Sequence, residues 1–353
     1  MIQRYNIAVE EQTVARLDSN PEANPEPNWK SLLGASKITT KALLAHLELA
    51  NHPLADASAE SLFELRVPPP YLAKIEKGNP NDPLLLQVLP QAAEQLKATG
   101  FVDDPLNEKD YSPLPGLIHK YKSRVLLIAT QSCAIHCRYC FRRSFPYNEH
   151  RLARQAWQKP LQYIESTPAI NEVILSGGDP LILRNDALKD LLAAIDQIPA
   201  IKRIRIHSRL VSSLPQRIDD ELIDTLRNLR AKVILVTHCN HPNEIDSTVQ
   251  QATKRLLSAG VTLLNQSVLL KQVNDDPKVL AKLSERLFEA NITPYYLFTL
   301  DKVTGTQHFE LSTSDCRTIY AELLALLPGY LVPKLVSEIP DRPSKSPLDL
   351  NII

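Results

Sequence analysis

No stretch of the 353-residue chain stays apolar over the roughly 20 residues that a membrane-spanning helix needs. The N-terminus, MIQRYNIAVEEQ, lacks the apolar stretch of a secretory signal. Cysteine is scarce: five in all, an odd number with three bunched together, which argues against a disulfide framework. Neither sign of charge is in excess, because 40 basic and 40 acidic residues leave a formal net charge of zero. Bulk charge therefore gives no support to a phosphate-driven nucleic-acid surface, although it does not speak to a local basic patch. The expectation is a cytoplasmic protein with reduced thiols, without a membrane or nucleic-acid partner.

What is present is ordinary for a globular protein, with 44% hydrophobic and 23% charged residues, and the length suits one large domain plus a smaller one. Residues 1–28 are polar, carry Pro21, Pro25 and Pro27, and read as a flexible arm. Over 29–110 the apolar spacing is mostly helical, as in KALLAHLELA and QAAEQLKA, and prolines cut it into short helices. Gly100 to Lys122 reads as a connecting loop. From Arg124 the pattern changes. The β-branched runs RVLLIAT, EVILSG, RIRIHS, KVILVTH, VTLLNQSVLL and TPYYLFTL alternate with amphipathic stretches such as DALKDLLAAIDQI and KVLAKLSERLFEA. Six strand–helix units predict an α/β fold, an open, partial (β/α)6 barrel over 111–328, with 329–353 as a C-terminal segment.

The densest chemistry is CAIHCRYC, in which Cys133, Cys137 and Cys140 directly follow the first predicted strand. Thiolates hold iron–sulfur clusters, and three of them leave one iron of a [4Fe-4S] cluster open to a second ligand. The competing reading is a zinc site with His136 or a distant cysteine as fourth ligand, but the two separated ligand pairs usual for zinc are missing. CxxxCxxC with an aromatic, Tyr139, beside the last cysteine resembles the radical S-adenosylmethionine superfamily. There the reduced cluster cleaves S-adenosyl-L-methionine to start radical chemistry.

After the next strand come Ser176-Gly177-Gly178-Asp179-Pro180. Glycines let backbone approach a ligand, and a carboxylate accepts from an ammonium group; a tight βα turn explains the pair equally well on its own. Only nine glycines occur in the chain, which gives the pair weight. By resemblance, Gly177, Gly178 and Asp179 match the motif that holds the methionine amino group. Polar residues recur at later strand ends: His207-Ser208-Arg209, His238-Cys239-Asn240-His241, Gln266 and Asp301. In parallel barrels those ends form the active face, so these residues point to one site.

Lys345 sits in a proline-flanked turn, PSKSP, where a lysine is ordinarily a solvated charge. Its surroundings, with LLNQSVLLKQVNDD, THCNHPNE and RIHSRLVSSLPQRI, closely resemble lysine 2,3-aminomutases from Pro115 to the C-terminus. That resemblance implies pyridoxal 5'-phosphate carried on Lys345 and Cys133, Cys137 and Cys140 on the cluster. It places His238 and Gln266 near S-adenosylmethionine, and Arg124 and Arg209 at the cofactor phosphate. Arg142 would meet the carboxylate of an L-lysine substrate, and Asp301 with Glu338 its distal ammonium. The family's usual second acid is Asp, one methylene shorter than Glu338. The stretch LVSSLP also departs from the usual run after the arginine.

Eight residues follow Lys345, so a short form without the metal-binding extension of the clostridial type is expected. GNPNDPLLLQVLP, CRYCFRRSFPY, VILSGGDPL and the PSKSPLDL tail resemble the branch that prepares (R)-β-lysine for elongation factor P. This implies a link to that factor and its lysyl ligase, and a one-electron reductant such as flavodoxin or ferredoxin. A radical mutase acting on glutamate or ornithine, or one giving (S)-β-lysine, is the related alternative. A noncatalytic zinc module that docks a translation factor is the unrelated one.

Overall fold

The computed structural model describes residues 28–50, 63–144 and 157–350. Apart from Asn28, the arm expected over 1–28 lies outside the described residues. Before the sheet the chain forms short helices: α1 (Trp29–Gly34), α2 (Thr40–His46), α3 (Pro69–Leu72) and α4 (Pro83–Leu86). Local chemistry sets their ends. Asn28 and Thr39 cap α1 and α2, and Asp82 caps α4 by accepting from Leu84 N and Leu85 N. Proline opens α3 and α4, where its missing N–H costs nothing. The helix expected in QAAEQLKA is only a 3-10 turn, Ala92–Gln95. There the Glu94 carboxylate folds back onto Gln91 N at 3.1 Å and is drawn inward by Arg138.

Among the described residues nine strands form one sheet in chain order: β1 (Leu117–Tyr121), β2 (Arg124–Thr130), β3 (Glu172–Gly177), β4 (Arg203–Ser208), β5 (Lys232–Thr237), β6 (Thr262–Val268), β7 (Thr293–Phe298), β8 (Lys334–Ser337) and β9 (Ser346–Pro347). β2 to β8 pair in parallel, and β1 and β9 close the two edges antiparallel. β1 and β9 are the ends of the order, so the barrel is open. This is the partial α/β barrel expected, with its six strands at β2 to β7. The segment expected to be a plain loop, Gly100 to Lys122, holds β1 and a 3-10 turn, Glu108–Tyr111. LIHKY is too short to announce itself and exists because β2 offers it a partner.

Between the parallel strands run α5 (Gln158–Glu165), α6 (Asn185–Asp196), α7 (Leu210–Ser213), α8 (Asp220–Arg227), α9 (Ser247–Ser258), α10 (Pro277–Glu289) and α11 (Thr313–Leu326). Asp219, Asp246, Asp276 and Ser312 cap α8 to α11. The period-2 alternation of the strands sorts their side chains. Val125, Leu127, Val173, Leu175, Ile204, Ile206, Val233, Leu235 and Leu263 face the helices and join Leu188, Leu192, Leu222, Val249 and Leu256 in one core. The alternate positions, Arg124, Leu126, Glu172, Ile174, Ser176, Arg205, His207, Ile234, Leu264 and Gln266, face a cavity on the other side. A slip of one residue in any strand would bury charge and expose the core.

Candidate active site

The cavity encloses about 600 Å³ and is lined by Cys133, Cys137, Cys140, Lys345 and most of the other site residues named from the sequence. One end lies at the C-terminal ends of the strands, under the cysteine loop. The other reaches the strand starts, where Arg124, Glu172 and Arg203 are paired in register.

The cysteine loop is held by the N-terminal helices as well as by the barrel. Ile135 packs into the cluster of Leu43, Leu65, Tyr71, Leu84 and Leu89. His136 N donates to Arg66 O at 3.0 Å and Arg138 N to Gln87 O at 2.9 Å. The fully buried Arg138 reaches both oxygens of Glu94, Nε at 2.8 Å and Nη2 at 2.6 Å, and Arg143 joins the same carboxylate at 2.6 Å. Burial raises the Cys133 thiol well above its ordinary value and pushes Cys140 up to about 11, each helped by its cysteine neighbours. Coordination to a metal would favour the thiolate form against that burial. His136 does not line the cavity that the three cysteines line. Its Nδ1 is 2.6 Å from Glu64 O and its ring stacks on Phe63, while Cys239 and Cys316 are buried in separate cores.

Gly177 and Gly178 owe their smallness to this loop. Gly177 has φ +108°, and a Cβ on Gly178 would stand 2.3 Å from Ser132 O. Gly178 N donates to Thr130 O at 2.8 Å and Asp179 N to Ser132 O at 2.9 Å, so the pair lays the end of β3 against the cysteine loop. Asp179 was expected to accept from an ammonium group. Its carboxylate lines the cavity and accepts from Leu181 N at 3.0 Å, Ser208 Oγ at 3.0 Å and Arg209 N at 2.7 Å, tying the ends of β3 and β4 together. Burial lifts it to about 6 against those three donors.

His238 and Gln266 meet across adjacent strand ends, Nε2 to Nε2 at 2.9 Å. Burial first, then the charges of Arg209 and Arg142, depress His238 to about 3, so the ring is neutral and accepts from the amide. His207 packs edge-on to it at 6.0 Å. Cys239, Asn240 and His241, named with them, do not line the cavity. Asn240 instead bonds Gln87 at 3.1 Å and Val268 N at 2.8 Å.

Acids and bases alternate along the wall nearest the C-terminal segment. Arg142 gives Nη2 and Nε to the two oxygens of Glu108, at 2.6 and 2.8 Å, and Nη1 to Ser176 at 3.0 Å. Lys345 is no solvated turn lysine: its ammonium pairs with Glu338 and lies 4.6 Å from the Phe298 ring centroid. Glu338 also accepts from Tyr121 OH at 3.0 Å and lies 3.5 Å from Lys120 Nζ. Burial alone would raise Glu338, but Lys345, Lys120 and Tyr121 together lower it. Asp301 is lifted to about 7 by burial and by the nearby charge of Glu338, with Lys345 opposing. The Arg124 guanidinium stacks 4.0 Å over Tyr121.

Arg209 is a correction. Expected beside Arg124 at a phosphate, it lies at the cysteine end, where Nη1 stands 2.7 Å from Cys137 Sγ. Among the described residues the buried Nε of Arg205, farther from the cysteines, has no partner, and neither do Nε2 of His207 beside His238 nor Nε of Arg209. Buried donors without partners in a cavity call for a ligand with acceptor oxygens. The donor set thus fits the groups the sequence implied: thiols at one end, cationic donors at the other, and a lysine against aromatic rings between them. Sequence reasoning missed Glu108, Lys120, Tyr121 and Arg205. The period-2 cavity face carried a signal for Arg205; Lys120 and Tyr121, on the short β1, and Glu108, in a 3-10 turn, had none.

Residues 127–283 match the model of the Radical SAM superfamily. The chain is 49% identical over 309 residues to the L-lysine 2,3-aminomutase of Escherichia coli, covering 88% of this chain and 90% of that protein. Against the Haemophilus influenzae enzyme of the same name the identity is 46% over 331 residues, covering 94% and 98%. The Buchnera aphidicola enzyme, also so named, is 42% identical over 338 residues, covering 95% and 99%.

Proposed function

Because the chain belongs to the lysine 2,3-aminomutase family of radical S-adenosylmethionine enzymes, we propose that it converts (S)-α-lysine to (R)-β-lysine. The product would supply the modification of elongation factor P through a separate lysyl ligase. One observation supports the reading most: the three cysteines, Lys345, and the acids Asp301 and Glu338 share a single cavity. When bound, a [4Fe-4S] cluster with S-adenosylmethionine supplies a hydrogen-abstracting radical, and pyridoxal phosphate supplies a π-system for the migrating nitrogen.

The chain's own residues hold, orient and exclude. Cys133, Cys137 and Cys140 would ligate the cluster, with Gly177, Gly178 and Asp179 fixing their loop. Neutral His238 and Gln266 would line the S-adenosylmethionine side. Lys345 would carry pyridoxal phosphate, with Arg124 facing the phosphate and the unpartnered Nε of Arg205 within the same end of the cavity. Arg142 would anchor the substrate carboxylate. Asp301 and Glu338 would take the distal ammonium, which favours a cationic side chain over glutamate. Fixing both ends of lysine holds its second and third carbons in one place while the buried walls exclude water and oxygen.

The link to elongation factor P rests on the resemblance of the quoted segments, and the reduced-thiol, cytoplasmic setting on cysteine usage. Among the described residues no helix is long and apolar enough to cross a membrane. A flavodoxin or ferredoxin would supply the electron.

The test is chiral, mass-resolved analysis of L-lysine incubated anaerobically with reconstituted protein, reductant, S-adenosylmethionine and pyridoxal phosphate. (R)-β-lysine is the expected product. The (S) product would move the enzyme to another branch, and no β-lysine from fully loaded protein would overturn the substrate assignment.

A further inference from the structure

Arg209, directly after β4, is a buried cation whose guanidinium is divided between two tasks. Nη2 donates to Gln87 Oε1 at 2.7 Å, Tyr71 OH at 3.2 Å and Glu244 Oε2 at 3.3 Å. Nη1 is turned the other way, 2.7 Å from Cys137 Sγ. The plane is packed between the Tyr71 and Tyr139 rings, 5.3 and 5.6 Å from its centre. Its backbone is pinned on both sides: Arg209 N donates to Asp179, and Arg209 O accepts from Ser212 Oγ at 3.2 Å and Ser213 Oγ at 2.9 Å. The two serines belong to the LVSSLP stretch that departs from the family's usual run.

A neutral thiol is a poor acceptor for a guanidinium, whereas an iron-bound thiolate is a good one. Glu244 and Gln87 are fully buried and engage Nη2 alone, while Nε has no partner among the described residues. Pointing the other arm of the fork at sulfur costs desolvation and gains nothing unless that sulfur is negative. A fixed positive charge beside a cluster stabilises the state carrying one more electron, and N–H donation to a cluster sulfur acts in the same direction.

We propose that Arg209 is a positioning residue for Cys137 that raises the cluster's reduction potential, with Glu244 as the counter-charge limiting the rise. The inference rests on reading Cys133, Cys137 and Cys140 as cluster ligands, but not on lysine as substrate.

The experiment uses the anaerobically reconstituted full chain as wild type, Arg209→Gln, Arg209→Lys and Glu244→Gln. Iron and sulfide are assayed, and the one-electron midpoint is read by spin resonance during reductive titration without S-adenosylmethionine. Arg209→Gln is expected to lower the reduced-to-oxidised ratio at a given ambient potential about tenfold, a midpoint about 59 mV more negative for a one-electron couple. Arg209→Lys should shift it less, and Glu244→Gln should shift it in the opposite direction. A fully loaded Arg209→Gln cluster with an unmoved midpoint overturns the proposal. Should that variant load no cluster, Glu244→Gln decides: a raised midpoint upholds the proposal and an unchanged one overturns it. Wild-type protein that takes up no cluster overturns the reading of the cysteines, and this inference with it.

Discussion

Glu108 grips Arg142 with both carboxylate oxygens, at 2.6 and 2.8 Å, inside the cavity that would receive the substrate. The pair fixes the orientation of the guanidinium, because Ser176 takes the remaining arm at 3.0 Å. A substrate carboxylate arriving at Arg142 therefore meets a cation already aimed and half-neutralised. Glu108→Gln keeps one acceptor oxygen and loses the charge. The KM for L-lysine should rise about tenfold, some 1.4 kcal/mol, within the range of one charge-assisted hydrogen bond. The kcat should change by less than about twofold, since an anchor of ground and transition state alike affects KM. A KM that falls instead would show Glu108 competing with the substrate carboxylate.

Asp301 sets a pH dependence. Burial first, then the charge of Glu338, lifts its carboxyl to about 7. Below that pH it holds a proton and offers no charge to an ammonium group. The KM for L-lysine should thus rise by up to about tenfold for each pH unit below 7, and Asp301→Asn should abolish that limb. The sign for folding is opposite. A raised carboxyl stabilises the fold fully below its unfolded value of about 3.9, and that contribution is lost as pH rises through about 7. In Asp301→Asn the decline in denaturation midpoint between pH 4 and 7 should be shallower.

How much of this could be read beforehand follows from the range of each interaction. CAIHCRYC and the alternation of RIRIHS are local patterns, so the cysteine loop and the six central strands were legible. Glu108 and Arg142, Glu94 and Arg138, and Arg209 and Cys137 are joined across long stretches of chain, and no spacing announces such pairs. Arg209 was misplaced for that reason: the strand end told which face it was on, and only packing told which end of the cavity it served. Lys345 was found through its neighbours, although its turn alone looked like solvated surface.

Gly178 gives a steric test of the cysteine loop. A Cβ there would meet Ser132 O at 2.3 Å, Ser132 N at 2.7 Å and the Gln131 carbonyl carbon at 2.8 Å, all backbone. None can swing aside, so Gly178→Ala must push the loop off β3. Overpacking of this kind costs about 1–3 kcal/mol. Iron content after reconstitution should fall to less than half the wild-type value while far-ultraviolet dichroism keeps its shape. A full cluster in Gly178→Ala would show that the loop is not docked through this contact.

The Lys345–Glu338 pair can be tested apart from the cluster, because the cysteine loop is supported by other residues. Lys345→Ala should leave iron content unchanged, abolish the visible absorption of bound pyridoxal phosphate, and remove the mass added by borohydride treatment. It should also cost stability, about 1.5–3 kcal/mol for a hydrogen bond between charged groups. The loss is bounded because Tyr121 and Lys120 still face Glu338. Adding Glu338→Gln removes the charge that Lys120 still faces, so the double variant should lose further stability and recover none of the cofactor binding. If Lys345→Ala alone matches wild type in midpoint, the pair is too well solvated to hold the C-terminal segment. If it still takes up pyridoxal phosphate irreversibly under borohydride, another lysine carries the cofactor.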